Sequence, residues 1–364
     1  MQRRSLLTCV LVTLGGCLAG WQPPATEGWD HGQWVGWDPI DPLHPNGPGQ
    51  AYRWTVPEGT TRVLLTAWGA GGGGSVTRSF ERVARGHAAG SGGLAIAEVE
   101  VVPGEVLLVV PGRGGDAGGS RGAGVWVVED DLAPWLGGGG PGAPAAGADL
   151  PRVIVGDGGG RFGCQPVDPG AVWACTGAGA GGGWSGVFRA TDLDAVSHAN
   201  ALVVAGGGGG GGSGGPGGAG GGERGEDAPP CGFPDASHPG LGGLPDAPAV
   251  LGVRAIFLED PLRVGGVAGP LRGGSGGYAN PFMALGLSRG GTRGGGGWFG
   301  GSGGAASLPG HPGCGGGGGS SWASGLGVLV AGGAPAMPAM DGATWGLGGA
   351  AGRSGGHGGV RIQW

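Results

Sequence analysis

The residues able to do chemistry in this chain are sparse and sit among glycines. Gly-Gly-Ser-Gly-Gly, which fits the Gly-x-Ser-x-Gly of a hydrolase nucleophile elbow, occurs around Ser213, Ser275 and Ser302. An elbow works because a sharp strand-to-helix turn exposes one hydroxyl. Three such identical copies in this background argue for composition rather than a single nucleophile. Seven histidines (His31, His44, His87, His198, His238, His311 and His357) stand mostly beside Gly or Pro, which places them on separate loops. Glu129-Asp130-Asp131 could take a hard cation such as Ca2+, and equally reads as a solvated loop. Gly-x-Gly-x-x-Gly patterns need a strand, a turn and a helix to hold a dinucleotide, and no helical period surrounds them. These spacings assign no catalytic residue, no metal site and no cofactor.

Four cysteines lie in the body of the chain: Cys164, Cys175, Cys231 and Cys314. An even number in an exported chain implies two disulfides with three possible connectivities. We favour Cys164–Cys175, which closes a short loop worth ~3 kcal/mol in chain entropy, and Cys231–Cys314. A shared metal site is the rival, weakened by the lack of any Cys-x-x-Cys spacing.

Composition narrows the class. Of 364 residues, 102 are Gly and 29 are Pro, and every basic residue is Arg. Without Lys there is no phosphate-cradling P-loop, no kinase chemistry and no Schiff base. A net charge of −6 disfavours a nucleic-acid partner. Collagen needs Gly at every third position, whereas here Gly comes in blocks. Disordered chains are poor in aromatics, but this one carries 14 Trp.

Residues 1–16 read as a secretory signal: Arg3 and Arg4, then an apolar run over 6–14 that is too short to span a bilayer. Leu14-Gly15-Gly16-Cys17 resembles the bacterial lipobox, which implies cleavage before Cys17 and a diacylglyceryl anchor on its thiol; the alternative is an ordinary signal with a chance Cys. Leu18 rather than Asp after that Cys implies outer-membrane sorting in a Gram-negative cell. The membrane is then reached through an acyl chain. Residues 17–49 read as a tether without periodicity. Its Trp29, Trp34 and Trp37 are candidate binding residues, since exposed Trp marks binding surfaces; alternatively they pack back onto the body of the protein.

From residue 50 to 364 a single all-β unit is expected. Tyr52 to Val56, Arg62 to Trp68, Leu94 to Val102, Glu105 to Val110 and Val125 to Val128 read as strands, with turns at Pro57-Glu58-Gly59 and Pro103-Gly104. Leu94, Ile96, Val99 and Val101 are candidate buried positions, as are Trp54, Trp68 and Trp126. A strand passing into oligoglycine recurs at Val153-Ile154-Val155-Gly156, Leu202-Val203-Val204-Ala205-Gly206 and Val328-Leu329-Val330-Ala331-Gly332. Extended three-residue-per-turn glycine segments have no internal hydrogen bonds. Their amides and carbonyls must therefore find partners on neighbouring segments. Side chains would prop such segments apart, so the runs read as a packed bundle; the alternative is flexible linker.

Trp54-Thr55-Val56-Pro57-Glu58-Gly59, then Val63-Leu64-Leu65-Thr66-Ala67-Trp68-Gly69-Ala70-Gly71-Gly72, is similar to the opening of bacterial glycine-rich domain proteins. Gly294-Gly295-Gly296-Gly297-Trp298-Phe299 and the closing Gly359-Val360-Arg361-Ile362-Gln363-Trp364 resemble the same family. The chain also resembles the glycine-rich extracellular region of the anaplastic lymphoma kinase and leukocyte tyrosine kinase receptors. That resemblance implies a tumour-necrosis-factor-like (jelly-roll) β-sandwich fused to a bundle of polyglycine II helices. It carries over no ligand-binding residue.

Together these readings lead us to expect a non-enzymatic, surface-anchored lipoprotein that acts as a rigid scaffold and binds a protein or glycan. A purely structural, self-associating envelope protein is the alternative.

Overall fold

The computed structural model describes residues 31–36, 51–78, 86–115, 117, 163–166, 173–177, 179–192, 195–212, 214–231, 239–249, 268–271, 273, 292–305, 313–325, 327–333 and 345–364. Among these residues the structure is β-strand and extended chain, with one short 3-10 turn at His198–Asn200. The expected strands around Trp126 and Ile154 lie outside them.

Thirteen strands are formed by the described residues: β1 Gly32–Gly36, β2 Tyr52–Thr55, β3 Arg62–Trp68, β4 Val76–Arg78, β5 Leu94–Glu100, β6 Val106–Val110, β7 Gly163–Pro166, β8 Trp173–Gly177, β9 Ser185–Phe188, β10 Ala201–Ala205, β11 Trp322–Ala323, β12 Val328–Val330 and β13 Gly359–Gln363. They make two antiparallel five-stranded sheets, ordered β1-β13-β3-β5-β12 and β11-β10-β9-β6-β2, and a small sheet β4-β8-β7.

The two large sheets pack face to face through a core that alternation along the strands creates. Val63, Leu65 and Ala67 of β3, Ala95, Ala97 and Val99 of β5, and Val360 and Ile362 of β13 meet Trp54, Leu107, Val109, Val187 and Val203 of the other sheet. The opposite face of the first sheet is also covered. Leu64, Trp68, Leu94 and Ile96 pack beside Val328 and Val330 of the neighbouring β12 and against Trp345. All four positions expected to be buried in and just after β5 are so, but they divide between two clusters. Leu94 and Ile96 have even numbers and Val99 and Val101 odd ones, so a period of two sends them to opposite faces.

Turns fall where Gly permits a positive φ, at Gly59 (80°) and Gly104 (83°). The stretch read as a tether is not wholly outside the sheets. Residues 32–36 form β1 and pair with β13 along its full length, Gly32 opposite Gln363 and Gly36 opposite Gly359. The ladder continues outward, with His31 and Trp364 exchanging backbone hydrogen bonds of 3.1 Å in both directions. This strand is hard to read in sequence, because Gly at both ends of a five-residue run weakens any alternation signal.

Beyond the sheets lie extended glycine segments joined to one another by backbone hydrogen bonds. Residues 206–212 are the central one. Gly207 and Gly210 donate to Gly296 and Arg293, Gly208 and Gly211 to Ala70 and Gly73, and Gly209 to Gly218. The carbonyls of Gly206 and Gly209 accept from Gly93 and Gly90, those of Gly207 and Gly210 from Gly319 and Gly316, and those of Gly208 and Gly211 from Gly182 and Gly179. All these bonds lie between 2.7 and 3.1 Å. Partners thus repeat every three residues, and one segment is tied to six others. A Cβ on Gly208 would overlap the carbonyl oxygen of Gly90, and one on Gly209 that of Gly316. Buried serines fill gaps in the network: Ser321 Oγ accepts from Gly206, and Ser75 Oγ donates to Gly212 O at 2.8 Å.

Candidate binding site

The glycine segments end in aromatic residues, and several of these converge on the outer face of the second sheet. Residues 294–297 lead into Trp298 and Phe299, and residues 315–321 lead into Trp322 on edge strand β11. His198 comes from the 3-10 turn before β10. The His198 and Trp298 rings stack in parallel with centroids 3.5 Å apart, and Trp298 stacks on Trp322 at 4.5 Å, both at 11°. Phe299 meets His198 edge-on at 4.9 Å. All four side chains are half-buried.

The backbone beneath them is pinned. Trp298 donates to Ser320 O at 2.8 Å, Ser320 to Phe299 O at 2.9 Å, and Phe299 to Ser320 Oγ at 3.0 Å. Nε2 of His198 lies 2.6 Å from the carbonyl oxygen of Trp298 and donates to it. Burial lowers the pKa of His198, partly offset by that carbonyl, so the ring is neutral at physiological pH. Below the stack, buried Trp184 sends its indole N–H to Leu271 O at 2.8 Å. Leu271 has a φ of 54°, the positive value of a non-glycine residue, and its own amide bonds to Trp298 O. A branched side chain in that region is strained unless its surroundings hold it there. Here the Trp184 and Trp298 bonds do so.

Rings fixed in this way offer apolar surface without an ordering cost on binding. Their edges and faces suit a sugar ring or an aromatic or aliphatic side chain. Composition could not reveal this group, since His198 and Trp298 are 100 residues apart in sequence and Trp298 and Trp322 are 24 apart; the only signal is Trp following oligoglycine at 298 and 322.

The residues singled out in sequence fall elsewhere. Trp34 lies in β1 opposite Arg361, at an edge of the first sheet, whereas Trp322 lies in β11 at an edge of the second. Trp29, Trp37 and Cys17 lie outside the described residues, as do Ser213, Ser275 and Glu129-Asp130-Asp131. Ser302 is fully buried, and its hydroxyl accepts from the Leu241 amide at 2.7 Å. Cys231 and Cys314 form a disulfide with Cα atoms 5.2 Å apart, tying two glycine segments together. Cys164 stands directly opposite Cys175 in the β7–β8 register. Among the described residues, no group of three His, Cys, Asp or Glu could hold a metal ion, and no helix is long and apolar enough to cross a membrane.

Compared with protein-family models and with curated proteins, the chain matches none.

Proposed function

We propose that this chain is an exported, non-enzymatic scaffold that presents a binding surface for a protein or glycan, held to the outer membrane or cell surface by a lipid on Cys17. The observation that carries the scaffold reading is the three-residue repeat of hydrogen-bond partners along residues 206–212. A flexible linker has no reason to exclude every Cβ along its length, whereas a packed bundle of polyglycine II helices does. The jelly-roll, tumour-necrosis-factor-like description of the sandwich belongs to the same proposal. The rigid bundle supports the binding role by fixing His198, Trp298 and Trp322, whose rings replace the tether tryptophans as our preferred contact surface.

Glycan arrays and envelope fractions probed with a chain starting at residue 18 test this reading. Saturable binding, weakened at least tenfold by Trp322→Ala with the sandwich intact, supports it. No binding together with concentration-dependent assembly would favour the structural, self-associating alternative. That alternative draws on the edge strands of the two sheets, which among the described residues are β1, β12, β11 and β2.

A further inference from the structure

The last glycine segment is tied to the bundle through a histidine. Residues 345–358 run back along the bundle before β13. Gly349 donates to Gly72 O, Gly355 to Gly115 O and Gly358 to Gly112 O, while Ala89, Gly92 and Gly71 donate to the carbonyls of Gly349, Gly346 and Gly356. In the middle of this seam the amide of Gly114 donates to Nδ1 of half-buried His357 at 3.0 Å. An Nδ1 that accepts a hydrogen bond carries no proton, so this contact exists only with the neutral ring.

We propose that His357 is an acid-sensitive latch: while neutral it holds residues 345–358 against the glycine bundle, and on protonation it releases them and uncovers the outer apolar face of the first sheet. Two protons cannot share the Gly114–Nδ1 line, so protonation turns an attraction into a clash of donors. It also leaves the Gly114 amide without this acceptor in a buried seam, which is costly. Arg113, beside Gly114, adds a like charge. Arg353 lies on the latch segment itself and is exposed; segment 86–93 contributes His87, and segment 69–75 carries no titratable side chain. The segment's first residue, Trp345, packs over Leu64, Trp68, Leu94 and Ile96 and against Gly359. Its departure would open that patch to solvent or to a second molecule.

Burial, then Arg113, lowers the His357 pKa from 6.5 to about 4. The released ring therefore binds protons more tightly than the docked one. The stabilisation is complete above about pH 6.5 and is lost as the pH falls toward about 4.

Hydrogen exchange followed by mass spectrometry, corrected for intrinsic rates, tests the latch at pH 7 and pH 4.5. In the wild-type chain, peptides covering 345–358 should lose protection at least roughly tenfold at the lower pH, while peptides from β3 and β5 keep theirs. His357→Asn, whose Oδ1 can accept from Gly114 without titrating, should abolish that loss, and His87→Asn should leave it unchanged. Should His357→Asn fail to fold, Arg113→Gln decides: with the like charge gone, the acid loss should shrink. The proposal is overturned if wild-type 345–358 stays protected at pH 4.5. It is equally overturned if His357→Asn loses as much protection as wild type, if His87→Asn removes the effect, or if Arg113→Gln leaves it unchanged.

Discussion

The amide of Gly208 meets the carbonyl of Ala70 at 2.9 Å, and three residues on Gly211 repeats the contact with Gly73. Strand β3 thus continues into a glycine segment that stays bonded to the one leaving β10. Sheet and bundle are one hydrogen-bonded body along this seam. On the far side of Gly208 the Gly90 carbonyl leaves no room for a Cβ.

Gly208→Ala should therefore cost at least about 3 kcal/mol, since backbone rather than a flexible side chain must yield. Gly104→Ala is the control. Its φ of 83° disfavours Ala, but nothing lies near its Cβ position. It should cost about 1 kcal/mol. Urea midpoints of the two variants measure the difference.

Removing the Cys231–Cys314 bridge, which spans 83 residues, should destabilise the protein by roughly 4 kcal/mol on chain-entropy grounds. A Cys231→Ser, Cys314→Ser double variant compared with wild type by thermal denaturation shows whether the bridge is needed for the glycine segments to stay ordered.

Edge strand β1 covers the outer edge of β13. A chain starting at residue 37 should self-associate more strongly than one starting at residue 18, because the hydrogen-bonding edge of Gly359–Gln363 is then open. Sedimentation at a fixed concentration reads the change.

Stability should fall with acid beyond what carboxylates explain. His198 and His357 both have pKa values lowered by burial, His357 to about 4. Unfolding lets them take up protons below about pH 6.5, so each contribution is present above that value and declines as pH drops. A His198→Phe, His357→Asn double variant should show a flatter dependence of urea midpoint on pH between 7 and 4.5 than wild type.

Much of the sandwich is legible in sequence. Arg62 to Trp68 is a short apolar, strand-forming run between turns, and Gly59 and Gly104 mark the turns where their conformation is required. Strand β9 escapes such a reading because Ser185-Gly186-Val187-Phe188 has only two apolar residues after a glycine run. Its Gly186 is needed where Val203 O crowds the Cβ position. The aromatic stack is hidden for a different reason. Stacking joins residues brought together by three separate segments, and neither periodicity nor local spacing encodes which segments become neighbours. The hydrogen-bond demand of oligoglycine says only that partners must exist.

Residues 206–212 tie the glycine segments together and are an ordered part of the fold. Amide exchange at these glycines measures that order most directly. Protection should be comparable to that of Leu65 and Ala67 in β3, because every amide from Gly206 to Gly212 has a partner within the protein. Exchange at the rate of an unstructured peptide would contradict it and return these residues to the role of a linker.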